Sequence, residues 1–180
     1  MTENKKIKIE DNFLKQEDFD KLQKFMWGEC VWGEPKIPWF YGDIIDYPDD
    51  EDKFMFFHLF YHRDVPQSPC FAELNPLFEM IKPLSTFMIK ANLLTRTPNI
   101  VENKFHVDMG DLVTTPEKLN QWTTAIFYIN TNNGYTKFED GTKVESVANR
   151  LLTFPANMKH TGTSCTDEKT RVVINCNFYI

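Results

Sequence analysis

The chain has 180 residues and a formal net charge of -6, with hydrophobic residues at 42%, aromatics at 14% and 16 Phe. That supplies one buried core and is too apolar for a disordered chain. No Lys/Arg stripe is present, which disfavours a nucleic-acid partner, and charges or Pro break every apolar run short of a membrane span.

The N-terminus Met1-Thr2-Glu3-Asn4-Lys5-Lys6 is polar and lacks a signal peptide, and Cys30, Cys70, Cys165 and Cys176 form no C-x-x-C pair. Reduced thiols in a cytoplasmic protein are the expectation. No repeat or linker divides the chain. It reads as one domain, with helical support over about residues 1–84 and a core barrel over about residues 85–180.

Ile7 to Glu10 alternates apolar and polar residues, as an opening strand does. Gln16 to Trp27 carries Phe19, Leu22, Phe25 and Met26 at helical spacing, with Glu17 and Asp18 in the first turn and Gly28 as the stop. Trp32 to Tyr47 is a loop with a short strand around Trp39–Tyr41, and Asp46 to Asp52 is an acidic, solvated turn. Phe54 to His62 is dense in Phe and Tyr and predicts a strand buried on both faces. Phe71 to Ile81 predicts a helix with Leu74, Leu77, Phe78 and Ile81 as its stripe, limited or restarted at Pro76.

From Ser85 the pattern becomes short β-prone runs: Ser85–Thr95, Lys104–Met109, Thr123–Asn130, Thr136–Phe138, Thr142–Val147, Arg150–Phe154, Lys159–Thr163 and Arg171–Tyr179. Helices followed by such a series indicate a mainly β fold with flanking helices: a jelly-roll, double-stranded β-helix barrel with N-terminal helices packed outside. The mouth of such a barrel is a ligand site.

Four polar residues suit that mouth. In Phe105-His106-Val107-Asp108 a strand's period of two points His106 and Asp108 the same way. His160 arrives just ahead of another strand-like run. Two His and one carboxylate on one face of a metal, with other positions open, form the facial triad of Fe(II) oxygenases. On the last strand Arg171, Val173, Asn175 and Asn177 share one face, and Val172, Ile174, Cys176 and Phe178 share the other. The first set suits a polar pocket whose Arg clamps a carboxylate. Tyr128 ends an apolar strand, either as a core residue or with its hydroxyl on the same carboxylate. Asn92, polar within a strand, is a candidate contact for cosubstrate or substrate. His58 and His62 lack a carboxylate at metal spacing and read as core or edge residues.

At these residues the chain resembles the Fe(II)/2-oxoglutarate-dependent dioxygenases, particularly the prolyl-4-hydroxylase-like branch. The match covers roughly the last half of the chain and rests on Phe105 to Asp108, Ile126 to Asn130, His160 and Arg171 to Asn175. The opening Ile9-Glu10-Asp11-Asn12-Phe13-Leu14 also looks like the start of that family's domain. The resemblance implies that His106, Asp108 and His160 bind Fe(II), that Arg171 pairs with the distal carboxylate of 2-oxoglutarate, and that Tyr128 assists there. It further implies O2 as cosubstrate, ascorbate as a candidate reductant, and hydroxylation of a peptide or small molecule with succinate and CO2 as co-products. Collagen-type members carry Lys where this chain has Arg171, as oxygen-sensing branches do not, which bears on the substrate rather than on the cosubstrate. The family's Trp-Gly-Gly-Glu-Leu stretch is reduced here to Asn133-Gly134-Tyr135-Thr136-Lys137-Phe138. The same His/Asp/His set also suits a zinc-dependent hydrolase or lyase, and a non-catalytic binding barrel is the third reading. Sequence leaves the oligomeric state open.

Overall fold

The computed structural model describes residues 6–28, 37–45, 47, 53–109 and 115–180. The first half contributes β1 (Lys8–Glu10), α1 (Gln16–Trp27), β2 (Phe40–Gly42), β3 (Met55–His62), β4 (Val65–Pro66) and a 3-10 turn Phe71–Leu74 that runs into α2 (Asn75–Ile81). Then follow β5 (Ser85–Thr95), α3 (Pro116–Leu119), β6 (Thr123–Tyr128), β7 (Tyr135–Phe138), β8 (Lys143–Glu145), β9 (Arg150–Pro155), β10 (His160–Gly162) and β11 (Thr170–Tyr179).

The strands form two antiparallel sheets. The larger runs β1-β9-β6-β11-β5-β3-β2, with β4 on β3, and the smaller runs β10-β7-β8. Long β11 is central: it pairs with β5 on one side and β6 on the other. Its alternation separates two environments, as the sequence predicts. Val172, Ile174, Cys176 and Phe178 join Phe60, Ile89, Ala91, Ala125 and Phe127 on the outer face. There they meet Phe19, Leu22, Phe25 and Met26 of α1, with Leu74 and Leu77. The opposite face turns to the smaller sheet, where Ile126, Tyr128, Leu152, Phe154 and Val173 pack on Phe138 and Val144. This is the double-stranded β-helix with helices outside, and it positions one polar face between two sheets.

Helix boundaries follow local chemistry. α1 ends at Gly28, whose φ of +69° suits a residue without Cβ and whose N–H donates to Lys24 O at 3.1 Å. Pro76 falls in the first turn of α2, where its missing N–H leaves no helix bond unmade. The segment Phe71–Ile81 is a 3-10 turn followed by a helix, the restart that Pro76 allowed.

Three expectations change. Lys104–Met109 is not a strand: its one pairing in a sheet sense is the bridge between His106 and His160, and the chain turns at Asp108 and Met109. β3 is not buried on both faces, because only Met55, His58 and Phe60 are buried and Phe54 is 43% exposed. Among the described residues only the short β2 and β4 pair with it besides β5, and its register on β5 slips between Leu59 and Tyr61. The first 84 residues supply β1 to β4 to the larger sheet in addition to helices. Most of Trp32–Pro38 and, apart from Tyr47, the acidic turn Asp46–Asp52 lie outside the described residues, as does Cys30. Cys165 and Cys176 are free thiols. Among the described residues no helix is long and apolar enough to cross a membrane.

Candidate metal centre

His106 and His160 meet through their backbones before their side chains do. His106 N–H donates to His160 O at 3.0 Å and His160 N–H to His106 O at 3.1 Å, a single closed antiparallel pair. The rings lie side by side with centroids 4.7 Å apart. Each Nδ1 faces a carbonyl, Lys104 O at 3.3 Å for His106 and Met158 O at 3.2 Å for His160. A donor at Nδ1 leaves the Nε2 lone pair free as a ligand. Both Nε2 atoms converge on Asp108 Oδ1, at 3.3 Å from His106 and 3.7 Å from His160.

One ligand atom from each of the three residues lies within 4.8 Å of the others. Bonds of about 2 Å place neighbouring donors on a first-row divalent ion about 3 to 4 Å apart, so the set fits such an ion. Two imidazoles and one carboxylate would occupy one face of such an ion and leave the rest to other ligands. Burial pushes the Asp108 carboxyl up, but the charge of His160, the His106 hydrogen bond and Asn177 outweigh it and hold the group well below the usual carboxylate range. It is the ionised form that binds metal.

Asp108 is also oriented from behind. Asn177 Nδ2 donates to Asp108 Oδ2 at 3.0 Å and to Thr124 Oγ1 at 3.1 Å. That bond occupies the outer oxygen and presents Oδ1 to the imidazoles.

A cavity of about 510 Å³ runs from this cluster to Arg171. Arg171 is 4% exposed, yet no carboxylate pairs with it among the described residues. Its Nε donates to Ser146 Oγ at 2.8 Å and an Nη to Thr136 Oγ1 at 3.3 Å. Burial pulls the guanidinium below its usual pKa. A buried cation without a counter-ion is costly, so the site is complementary to an anion. The chain makes room for it: a Cβ on Gly134 would stand 2.7 Å from Arg171 Cδ and from Ser164 O.

Of the residues singled out from sequence, His106, Asp108, His160, Arg171, Asn175 and Asn92 all line this cavity. The amide oxygens of Asn92 and Asn175 are buried and without a partner. Tyr128 is not brought to the cavity. It is fully buried between the sheets, and its hydroxyl donates to Thr136 Oγ1 at 2.8 Å. That is the core-residue alternative for Tyr128; Thr136, which does line the cavity, accepts from Tyr128 and Arg171 at its oxygen and keeps its own proton to donate. Sequence reading missed Thr136, Ser146 and the role of Asn177. Asn177 already shared the Arg171 face by period two, whereas Thr136 and Ser146 carry no local signal. His58 is a core residue as expected, with its ring nitrogens 2.7 Å from Pro38 O and 2.8 Å from Ser68 Oγ.

No protein-family model matches the sequence, and no curated protein sequence does. Solved structures do match the fold. One is a prolyl hydroxylase in complex with a hypoxia inducible factor oxygen degradation domain peptide fragment, from Trichoplax adhaerens, at 10% identity and TM-score 0.61, covering 96% of this chain and 83% of that one. Another is the non-heme alpha ketoglutarate dependent epimerase SnoN from nogalamycin biosynthesis, at 12% identity and TM-score 0.63, covering 97% and 78%. A third is an oxidoreductase of the 2OG-Fe(II) oxygenase family from Burkholderia pseudomallei, at 7% identity and TM-score 0.62, covering 98% and 85%.

Proposed function

We propose that this chain, which has the double-stranded β-helix fold of the Fe(II)/2-oxoglutarate-dependent oxygenases, is itself such an enzyme and hydroxylates a peptide or small molecule. The observation that carries the reading is the buried, anion-less Arg171 sharing one cavity with a His/Asp/His donor set. A zinc hydrolase needs the three ligands, but its chemistry does not require that second pole. A non-catalytic barrel needs neither.

Each residue then has a task. His106 Nε2, Asp108 Oδ1 and His160 Nε2 hold Fe(II), which when bound supplies the activation of O2 coupled to oxidative decarboxylation of 2-oxoglutarate. Arg171 pairs with the distal carboxylate of the cosubstrate, and the Thr136 hydroxyl donates to it. Tyr128 and Ser146 keep those two donors in place, the first through Thr136 and the second through Arg171 Nε. Ile126 and Val173, apolar neighbours on the same face, exclude water from the space between the poles.

Separating the poles tests the assignment. Zn(II)- or Mn(II)-loaded protein binds 2-oxoglutarate in calorimetry, and Arg171→Met weakens that binding by about a hundredfold while metal affinity is kept. His106→Ala loses the metal. With Fe(II), substrate-dependent succinate formation disappears in both. Equal 2-oxoglutarate affinity in the parent and Arg171→Met would remove the assignment.

A further inference from the structure

The cavity holds one more cation than the cosubstrate uses. Lys90 precedes Asn92 by one period of β5, so both side chains reach the cavity face, and both line the cavity. In the ladder Lys90 stands opposite Asn175 of β11, and Asn92 stands opposite Val173. Lys90 is half-buried, and among the described residues no hydrogen bond or ion pair joins it. An ammonium held part-way out of water beside unpaired amide oxygens is an incomplete site.

Charge makes the argument specific, and it rests on the function proposed above. Among the described residues lining the cavity, Lys90 and Arg171 are the permanent cations and Asp108 is the one carboxylate. A divalent ion adds two positive charges and 2-oxoglutarate removes two, one at Arg171 and one at the metal. A single positive charge is left, at Lys90, and neither carboxylate of the cosubstrate remains to meet it. Asn92 and Asn175 line the cavity beside it with their amide oxygens buried, and a side-chain amide's N–H donors add to an ammonium's in receiving an anion.

We propose that the substrate carries a carboxylate or comparable monoanion held by Lys90. The side chain of an acidic residue has this chemistry, whether in a free amino acid or within a peptide.

The test uses matched acids and amides on Zn(II)-loaded protein with 2-oxoglutarate bound, where no turnover occurs. Glutamate against glutamine and aspartate against asparagine form the free arm. N-acetyl-glutamate N-methylamide against its glutamine counterpart forms the peptide arm. Ligand-observed NMR should show at least one acid binding about tenfold or more tightly than its amide, the scale of one charge-assisted hydrogen bond, and the arm that responds identifies the source. Lys90→Met should abolish the preference, Lys90→Arg should restore it, and 2-oxoglutarate binding should stay as in the parent in both. No acid preference in any pair, or a preference that survives Lys90→Met, overturns the proposal. Loss of 2-oxoglutarate binding in Lys90→Met overturns it too, because Lys90 would then serve the cosubstrate. Failure of the parent to bind 2-oxoglutarate at all overturns the proposed function and this inference with it.

Discussion

Replacing Asn177 with Ala tests whether the metal centre depends on a residue that never touches the metal. Asn177 is completely buried and gives its amide N–H to Asp108 Oδ2 at 3.0 Å. A hydrogen bond to a charged acceptor is worth about 1.5 to 3 kcal/mol. Its value appears in metal affinity to the extent that it selects the rotamer aiming Oδ1 at His106 and His160. At about 1.4 kcal/mol per decade, Asn177→Ala should weaken Zn(II) or Co(II) binding by between about tenfold and a hundredfold, the span usual for partners behind metal ligands. Stability of the metal-free protein should change less. The Asn177 Oδ1 is a buried acceptor without a partner, and removing it relieves a cost of about 1 to 3 kcal/mol. The assay is competition with a chromophoric chelator, alongside the visible spectrum of the Co(II) form, which reports ligand geometry and not fold. A Kd and Co(II) spectrum both matching the parent would refute the reasoning and show that Asp108 orients itself.

Other consequences are as direct. Gly134→Ala meets Arg171 Cδ and the backbone oxygen of Ser164 at 2.7 Å, so it should displace the guanidinium and weaken 2-oxoglutarate binding while metal affinity holds, as calorimetry of the two ligands will show. Phe127→Ala removes a fully buried ring that packs edge-on against Phe13 and Phe19; it should cost about 3 to 5 kcal/mol in denaturant unfolding without altering the Co(II) spectrum of protein that remains folded. Burial, partly opposed by its bond to Pro38 O, holds the His58 pKa below the ordinary imidazole value. Folding therefore favours the neutral ring, and its stabilising contribution is complete above an unfolded pKa of about 6.5 and declines as pH falls below it. The Tm difference between the parent and His58→Phe should shrink between pH 7 and pH 5, and a difference that does not vary with pH would contradict this.

Several features of this protein were legible in the residue order because they depend on local periodicity. The stripe of Phe19, Leu22, Phe25 and Met26 marks a helix with one buried side, and alternation along Arg171–Phe178 separates a polar lining from a core face, since a strand turns successive side chains to opposite sides. The candidate ligand set was legible too, because few side chains bind a divalent ion and His106, Asp108 and His160 are of those types. Tertiary structure alone decided how those groups are held. His106 and Asp108 are brought to His160 through one backbone pair followed by a turn, and not through the strand that alternation suggested. Thr136 stands between Tyr128 and Arg171, and Asn177 braces Asp108, because distant strands adjoin. A hydrogen bond needs a donor within about 3 Å and the right direction, and no spacing along a chain specifies either between strands separated by long connections.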